Sequence, residues 1–173
     1  MPKTILVAID GSDAGRRALA FASEISAKIG GDLTILHVLM HGTPAEEFER
    51  LAESEHIIKA TASRILPNGL TMPDHLATIL SHPEADRARA VVEIGDYILR
   101  AARLNAEEAG ARNVQTRLED GDYGDAILDT ASDLGADLIV LGRRGLGRIG
   151  SFLLGSVSNK VLQSAKCDVA VVR

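Results

Sequence analysis

Aromatic residues are scarce in this chain. They make up 3% of its 173 residues, and tryptophan is absent. The stacking platforms with which proteins grip single-stranded nucleic acid are therefore not expected. A core must instead be assembled from Val, Ile, Leu and Ala, a composition suited to a sheet buried on both faces by helices. Cysteine is reduced to one residue, Cys167. An internal disulfide and a paired-thiolate metal site are thus excluded, and Cys167 is expected as a small apolar residue beside the last strand. A surplus of positive charge is also missing. The formal net charge is −5, so nucleic acid and anionic membrane surfaces are not expected as partners. No apolar run approaches the ~20 residues of a membrane span, and the run Ile5–Ile9 is too short for a signal peptide. The expected location is the cytoplasm. The five histidines show no ligand pair at metal spacing, so no metal ligand is assigned among them.

Strand-like and helix-like segments alternate. Ile5–Ile9 is a continuous apolar run ending at Asp10-Gly11-Ser12. It reads as a buried strand followed by a turn. Apolar residues at Ala14, Ala18, Phe21, Ala22, Ile25 and Ile29 then recur at helical spacing, with Ser12 or Asp13 as cap and Gly30 as stop. Further strands are expected at 33–38, 114–118, 138–141 and 169–172, and helices at 123–134 and 154–165. Residues 39–112 are long for one crossover. They hold two helical patterns, about 44–66 and 83–109, separated by Pro67-Asn68-Gly69. This alternation predicts a single α/β domain over 1–173. Its core is a five-stranded, parallel, doubly wound sheet with a helical insertion after the second strand. Ligands of such sheets bind beyond the carboxyl ends of the strands, where strand order reverses.

The segment richest in chemistry follows the fourth strand. Gly142-Arg143-Arg144-Gly145-Leu146-Gly147-Arg148-Ile149-Gly150 leads towards Gly155-Ser156-Val157-Ser158 at a helix start. Unpaired amides and the positive end of the helix dipole attract anions there. Glycines let the backbone come close, hydroxyls add donors, and the arginines add charge. The pattern points to a polyphosphate. It is not a Walker loop, because Arg148-Ile149 stands where Lys-Ser or Lys-Thr is required. Gly145–Gly150 formally matches the dinucleotide glycine pattern. It follows the fourth strand rather than the first, however, and the acidic partner is misplaced.

The spacing Gly142-x2-Gly145-x9-Gly155-Ser156 resembles the ATP-binding signature of the universal stress protein family. The opening strand and turn, Leu36-His37-Val38, Asp137–Gly142 and Cys167–Arg173 resemble the corresponding family segments. The resemblance implies an adenine nucleotide alpha hydrolase-like fold. It also implies an ATP site assembled from three strand ends, with Mg2+ accompanying the phosphates. Ala8, Ile9 and Asp10 would line the nucleoside, with Asp10 offering a carboxylate to ribose or base, and Val38 would pack on the adenine. Leu141, Gly142 and Gly145 would form the loop floor, with Arg143 beside them. Gly155, Ser156, Val157 and Ser158 would hold the phosphates. A symmetric homodimer through the last strand is implied as well. The functional reading is an ATP-binding protein with a regulatory or stress-response role and an unknown regulatory protein partner. A weak ATP hydrolase is one alternative, with no evident base or nucleophile. The other is a nucleotide-independent module docking on a partner such as a transporter through the insertion.

Overall fold

Side-chain caps and glycine stops set the bounds of two helices in this chain. The computed structural model describes residues 3–39, 84–143 and 154–173. Strand β1 spans Thr4–Ile9, and helix α1, Asp13–Ile29, follows it. Ser12 caps α1 by accepting from the Gly15 N–H, and Gly30 ends it in the left-handed region at φ 71°. Strand β2 is Asp32–Leu39. Helix α2, Glu84–Glu108, leads into β3, Arg112–Asp120. Helix α3, Tyr123–Leu134, begins under Asp122, whose carboxylate accepts from the Gly124 and Asp125 N–H groups. The Asp120-Gly121-Asp122 triplet is therefore a turn and a cap. Strand β4 is Leu138–Gly142, helix α4 is Ser156–Ser164, and β5 is Asp168–Val172. The expected helix at 44–66, its proline-marked break, and Arg144, Gly145, Gly147 and Arg148 lie outside the described residues.

The five strands are all parallel, in the order β3-β2-β1-β4-β5. Register runs straight across the centre. Ile5 pairs with Leu33 on one side and Leu138 on the other, and Ala8 pairs with Leu36 and Leu141. Alternation along the strands separates two cores. Ile5, Val7, Ile9, Leu33, Ile35 and Val140 pack under α1 and α2. Leu6, Leu36, Val38, Ile139 and Leu141 pack under α3 and α4. These positions are nearly or wholly sealed from water. At about 25 cal/mol per Å² of apolar surface, such burial is the main force holding the layers together.

The second half of the long 39–112 stretch is part of the main body. Val91, Ile94, Ile98, Leu99, Ala102 and Ala106 of α2 belong to the first core, at the spacing of one helix face. Gly95 lets α2 lie close to the sheet, since a Cβ there would stand 2.9 Å from Leu118 Cδ1 and 3.3 Å from His37 Cδ2. Residues 84–108 thus form the ordinary crossover helix between β2 and β3.

β1 leads to β2 on one side of the sheet, while β4 lies on its other side. The strand order reverses between β1 and β4, and the carboxyl ends of these two strands define the crevice.

Candidate functional site

The end of β1 is a tightly bonded turn. Asp10 Oδ1 accepts from the Ser12 N–H at 3.1 Å and from the Ser12 hydroxyl at 2.6 Å. The same hydroxyl oxygen accepts from the Gly15 N–H at 3.1 Å. Gly11 sits at φ 78°, a conformation that favours glycine, and its carbonyl accepts from Arg16 Nη1 at 2.9 Å. One end of the Asp10 carboxylate is therefore fastened to the first turn of α1. The half-buried Asp10 stands between the ends of β2 and β4.

The end of β4 is held from both layers. On the α1 side, a Cβ on Gly142 would stand 2.8 Å from the carbonyl carbon and Cβ of Ala14. No larger residue fits without movement of the α1 backbone. On the α4 side, the buried Ser158 hydroxyl donates to the Gly142 carbonyl at 3.0 Å and lies 3.2 Å from the Arg143 carbonyl. The Arg143 carbonyl also accepts from the Gly155 N–H at 3.1 Å, and the Arg143 N–H donates to Val172 at 2.7 Å.

Helix α4 starts differently from α1 and α3. Its N-cap is Gly155, extended at φ −64° and ψ 157°, and among the described residues no side chain caps it. The first intrahelical bond is Asn159 N–H to the Gly155 carbonyl. The amides of Ser156, Val157 and Ser158 precede it, and among the described residues no earlier turn supplies them with partners. These donors and the positive end of the helix dipole are the anion-attracting feature of the crevice. The helix is shorter at its start than the expected 154–165, because Gly155 is extended and serves as the cap.

Ala8 and Leu141 are direct neighbours in register, and both face the α3–α4 layer together with Val38. Leu141 and Val38 are each 4% exposed, so their side chains are core, with little surface left for a ligand. Ile9 is not brought to them. Its side chain points into the α1–α2 core, and its carbonyl lies 2.9 Å from His37 Nδ1, tying β1 to β2. Gly142, Arg143 and Gly155 converge at the mouth of β4, with Ser156 exposed and Val157 half-buried just beyond. Gly145 lies outside the described residues.

Sequence reasoning missed the Ala14–Gly142 contact, the double use of Ser12, and a bridge across the α3–α4 layer. In that bridge Lys160 Nζ lies 3.0 Å from Asp122 Oδ1 and 2.7 Å from Asp125 Oδ1. The Lys160 hydrogen bond, with help from the Asp125 N–H, holds the Asp122 carboxyl below its usual value, and the two aspartates raise Lys160. Gly124 makes room for the lysine stem, since a Cβ there would meet Lys160 Cδ at 2.5 Å. The Ser12-x-x-Gly15 spacing was the available signal for the α1 cap. Contacts between distant segments had none. Half-buried Cys167 lies against the α3–α4 core, where burial and then Asp168 and Asp137 push its thiol up. Among the described residues no group of three or more His, Cys, Asp or Glu side chains could hold a metal ion, and no helix is long and apolar enough to cross a membrane.

The sequence profile of the Universal stress protein family matches residues 1–173. A universal stress protein of Thermus aquaticus is 34% identical over 176 aligned residues, covering 100% of both chains. The Universal stress protein YxiE of Bacillus subtilis is 31% identical, covering 98% of this chain and 97% of its own. Among solved structures, a universal stress protein in complex with cAMP is 26% identical with a TM-score of 0.60, covering 99% of this chain and 96% of its own. The universal stress protein UspA from Lactobacillus plantarum, 24% identical with a TM-score of 0.67 over 99% and 97% of the two chains, shares the fold.

Proposed function

Because the chain belongs to the universal stress protein family, we propose that it is an ATP-binding regulatory protein of the stress response. The nucleotide occupies the crevice at the carboxyl ends of β2, β1 and β4. The observation that carries this reading is the start of α4. Its amides at Ser156, Val157 and Ser158 lie at the strand-order reversal, and no described side chain caps them. A donor set of backbone amides at a helix's positive end fits a phosphate group. The complex of a 26% identical relative with cAMP supports an adenine nucleotide as the ligand class.

In this reading Ser156 and Val157 hold the phosphates through their amides. Gly155 and Gly145 let the backbone come close, and Arg143 adds positive charge. Ser158 acts mainly by fastening α4 to β4, because its hydroxyl is engaged by the Gly142 carbonyl. Ala8, Leu141 and Val38 form the apolar floor, and Asp10 faces the nucleoside. Mg2+ accompanies the phosphates. The protein works in the cytoplasm as a homodimer paired through β5, the sheet's edge strand, whose apolar residues are half-exposed.

Binding regulates only if it separates two states of differing affinity. Ordering the start of α4 against the phosphates supplies such a difference and alters the surface offered to a partner protein. The test is calorimetric titration with Mg-ATP, together with mass identification of nucleotide released when the purified protein is denatured. Saturable binding that is lost in Gly155→Val supports the site. Equal affinity in wild type and Gly155→Val refutes it.

A further inference from the structure

Strand order distributes a nucleotide across this crevice. In the proposed reading the phosphates lie at the start of α4, beyond β4, and the base lies beyond the end of β2. β1 lies between β2 and β4, so the sugar passes over the end of β1, where Asp10 stands. An ionised carboxylate only accepts hydrogen bonds, and a ribose hydroxyl can donate one to it. Asp10 is not free to turn, however. Ser12 holds Oδ1 with both its hydroxyl and its amide, at 2.6 and 3.1 Å. Gly15 closes over the same oxygen, since a Cβ there would stand 2.9 Å from it. The Ser12 hydroxyl is itself fixed by the Gly15 N–H and is 9% exposed as a residue. Oδ1 is thus consumed by the turn, and Oδ2 is the oxygen left for a ligand.

We propose that Ser12 is a positioning residue for sugar selectivity: by holding Oδ1 of Asp10 it presents Oδ2 to the ribose hydroxyls, so that ribonucleotides bind in preference to nucleotides lacking them. The inference rests on the ATP-site reading above. Ser12 touches no ligand in this arrangement. It removes the freedom of the Asp10 side chain before binding, so less order has to be imposed when the sugar arrives. A hydrogen bond to a charged acceptor makes the preference roughly ten- to a hundredfold.

The test is titration of the full chain with Mg-ATP and with Mg-2′,3′-dideoxy-ATP. Wild type should prefer ATP by that margin. Ser12→Gly, a substitution that helix caps tolerate well, removes the hydroxyl but keeps the backbone amide on Oδ1, so it should lower the preference severalfold while leaving dideoxy-ATP affinity within about threefold. Ser12→Thr, which keeps the hydroxyl, should retain the preference. In an Asp10→Ala background the preference should already be gone, and Ser12→Gly should change it no further. A full preference surviving in Ser12→Gly overturns the proposal, and so does an equal loss of both ligands, the mark of a merely structural role. Equal affinity of wild type for the two nucleotides removes the sugar contact while leaving the ATP site standing. Binding of neither by wild type removes the ATP site and this inference with it.

Discussion

Gly142 lies directly on Ala14: a Cβ on the glycine would stand 2.8 Å from both the carbonyl carbon and the Cβ of Ala14. The last residue of β4 and the first turn of α1 therefore meet with no room for a side chain. Gly142→Ala should push α1 away from the sheet at a cost of about 1–3 kcal/mol. The expected result is a melting temperature lowered by several degrees, with ATP affinity weakened as well. An unchanged melting temperature would show that the contact relaxes freely.

Gly155 separates stability from binding. Its backbone is extended, so any residue fits its conformation, and an aspartate there would cap α4 and complement its dipole. Gly155→Asp should raise thermal stability slightly, by about 0.3–1 kcal/mol, yet abolish ATP binding by placing a carboxylate where the phosphates sit. A variant that still binds ATP with wild-type affinity would move the phosphates elsewhere.

The Asp122–Lys160 contact predicts a pH dependence. Asp122 has a lowered folded pKa, so its contribution is complete above the usual carboxylate range and fades as pH falls through the folded value. Lys160 is raised, so its share persists through neutral pH and is lost only in alkali. Asp122→Ala also removes the α3 cap and should cost about 1 kcal/mol at pH 7. The exposed ion pair itself adds little. Melting curves of the two proteins should converge as pH drops through the acidic range. A gap that stays constant down to pH 2 would assign the loss to something other than the carboxylate.

β5 pairs with β4 on one side, and its other edge has no strand beside it among the described residues. Light scattering should return twice the mass of the chain. Lysine at Val171, a half-buried position on this strand, should shift the population towards monomer. A monomeric wild type at working concentration would remove the β5 pairing.

Four of the strands were legible because each is a short, mainly apolar run bounded by turn residues, whereas β3, with Arg, Gln, Thr and Glu along it, extends beyond the expected 114–118; α3 was readable to its ends because Asp122 and Gly135 mark them chemically. The glycine spacing pointed to the end of β4, and the strand order puts that end beside the reversal. The details of the crevice were less legible. Ala8 and Ile9 are consecutive in a strand, and alternation alone assigns them to opposite faces, a signal that grouping by motif overlooked. Gly142 reads in sequence as space for a phosphate, whereas the structure gives it a packing role against Ala14, 128 positions away by number. Ser158 reads as a phosphate donor, but its hydroxyl is engaged by a carbonyl sixteen positions earlier. These are long-range contacts between elements, and local pattern holds no record of them.

The end of β4 is clasped by Ala14 from one helical layer and by Ser158 from the other. It works as a keystone: neither layer can slide without disturbing the stone they share. An occupant of the crevice that pressed on the end of β4 would therefore bear on both helical layers together.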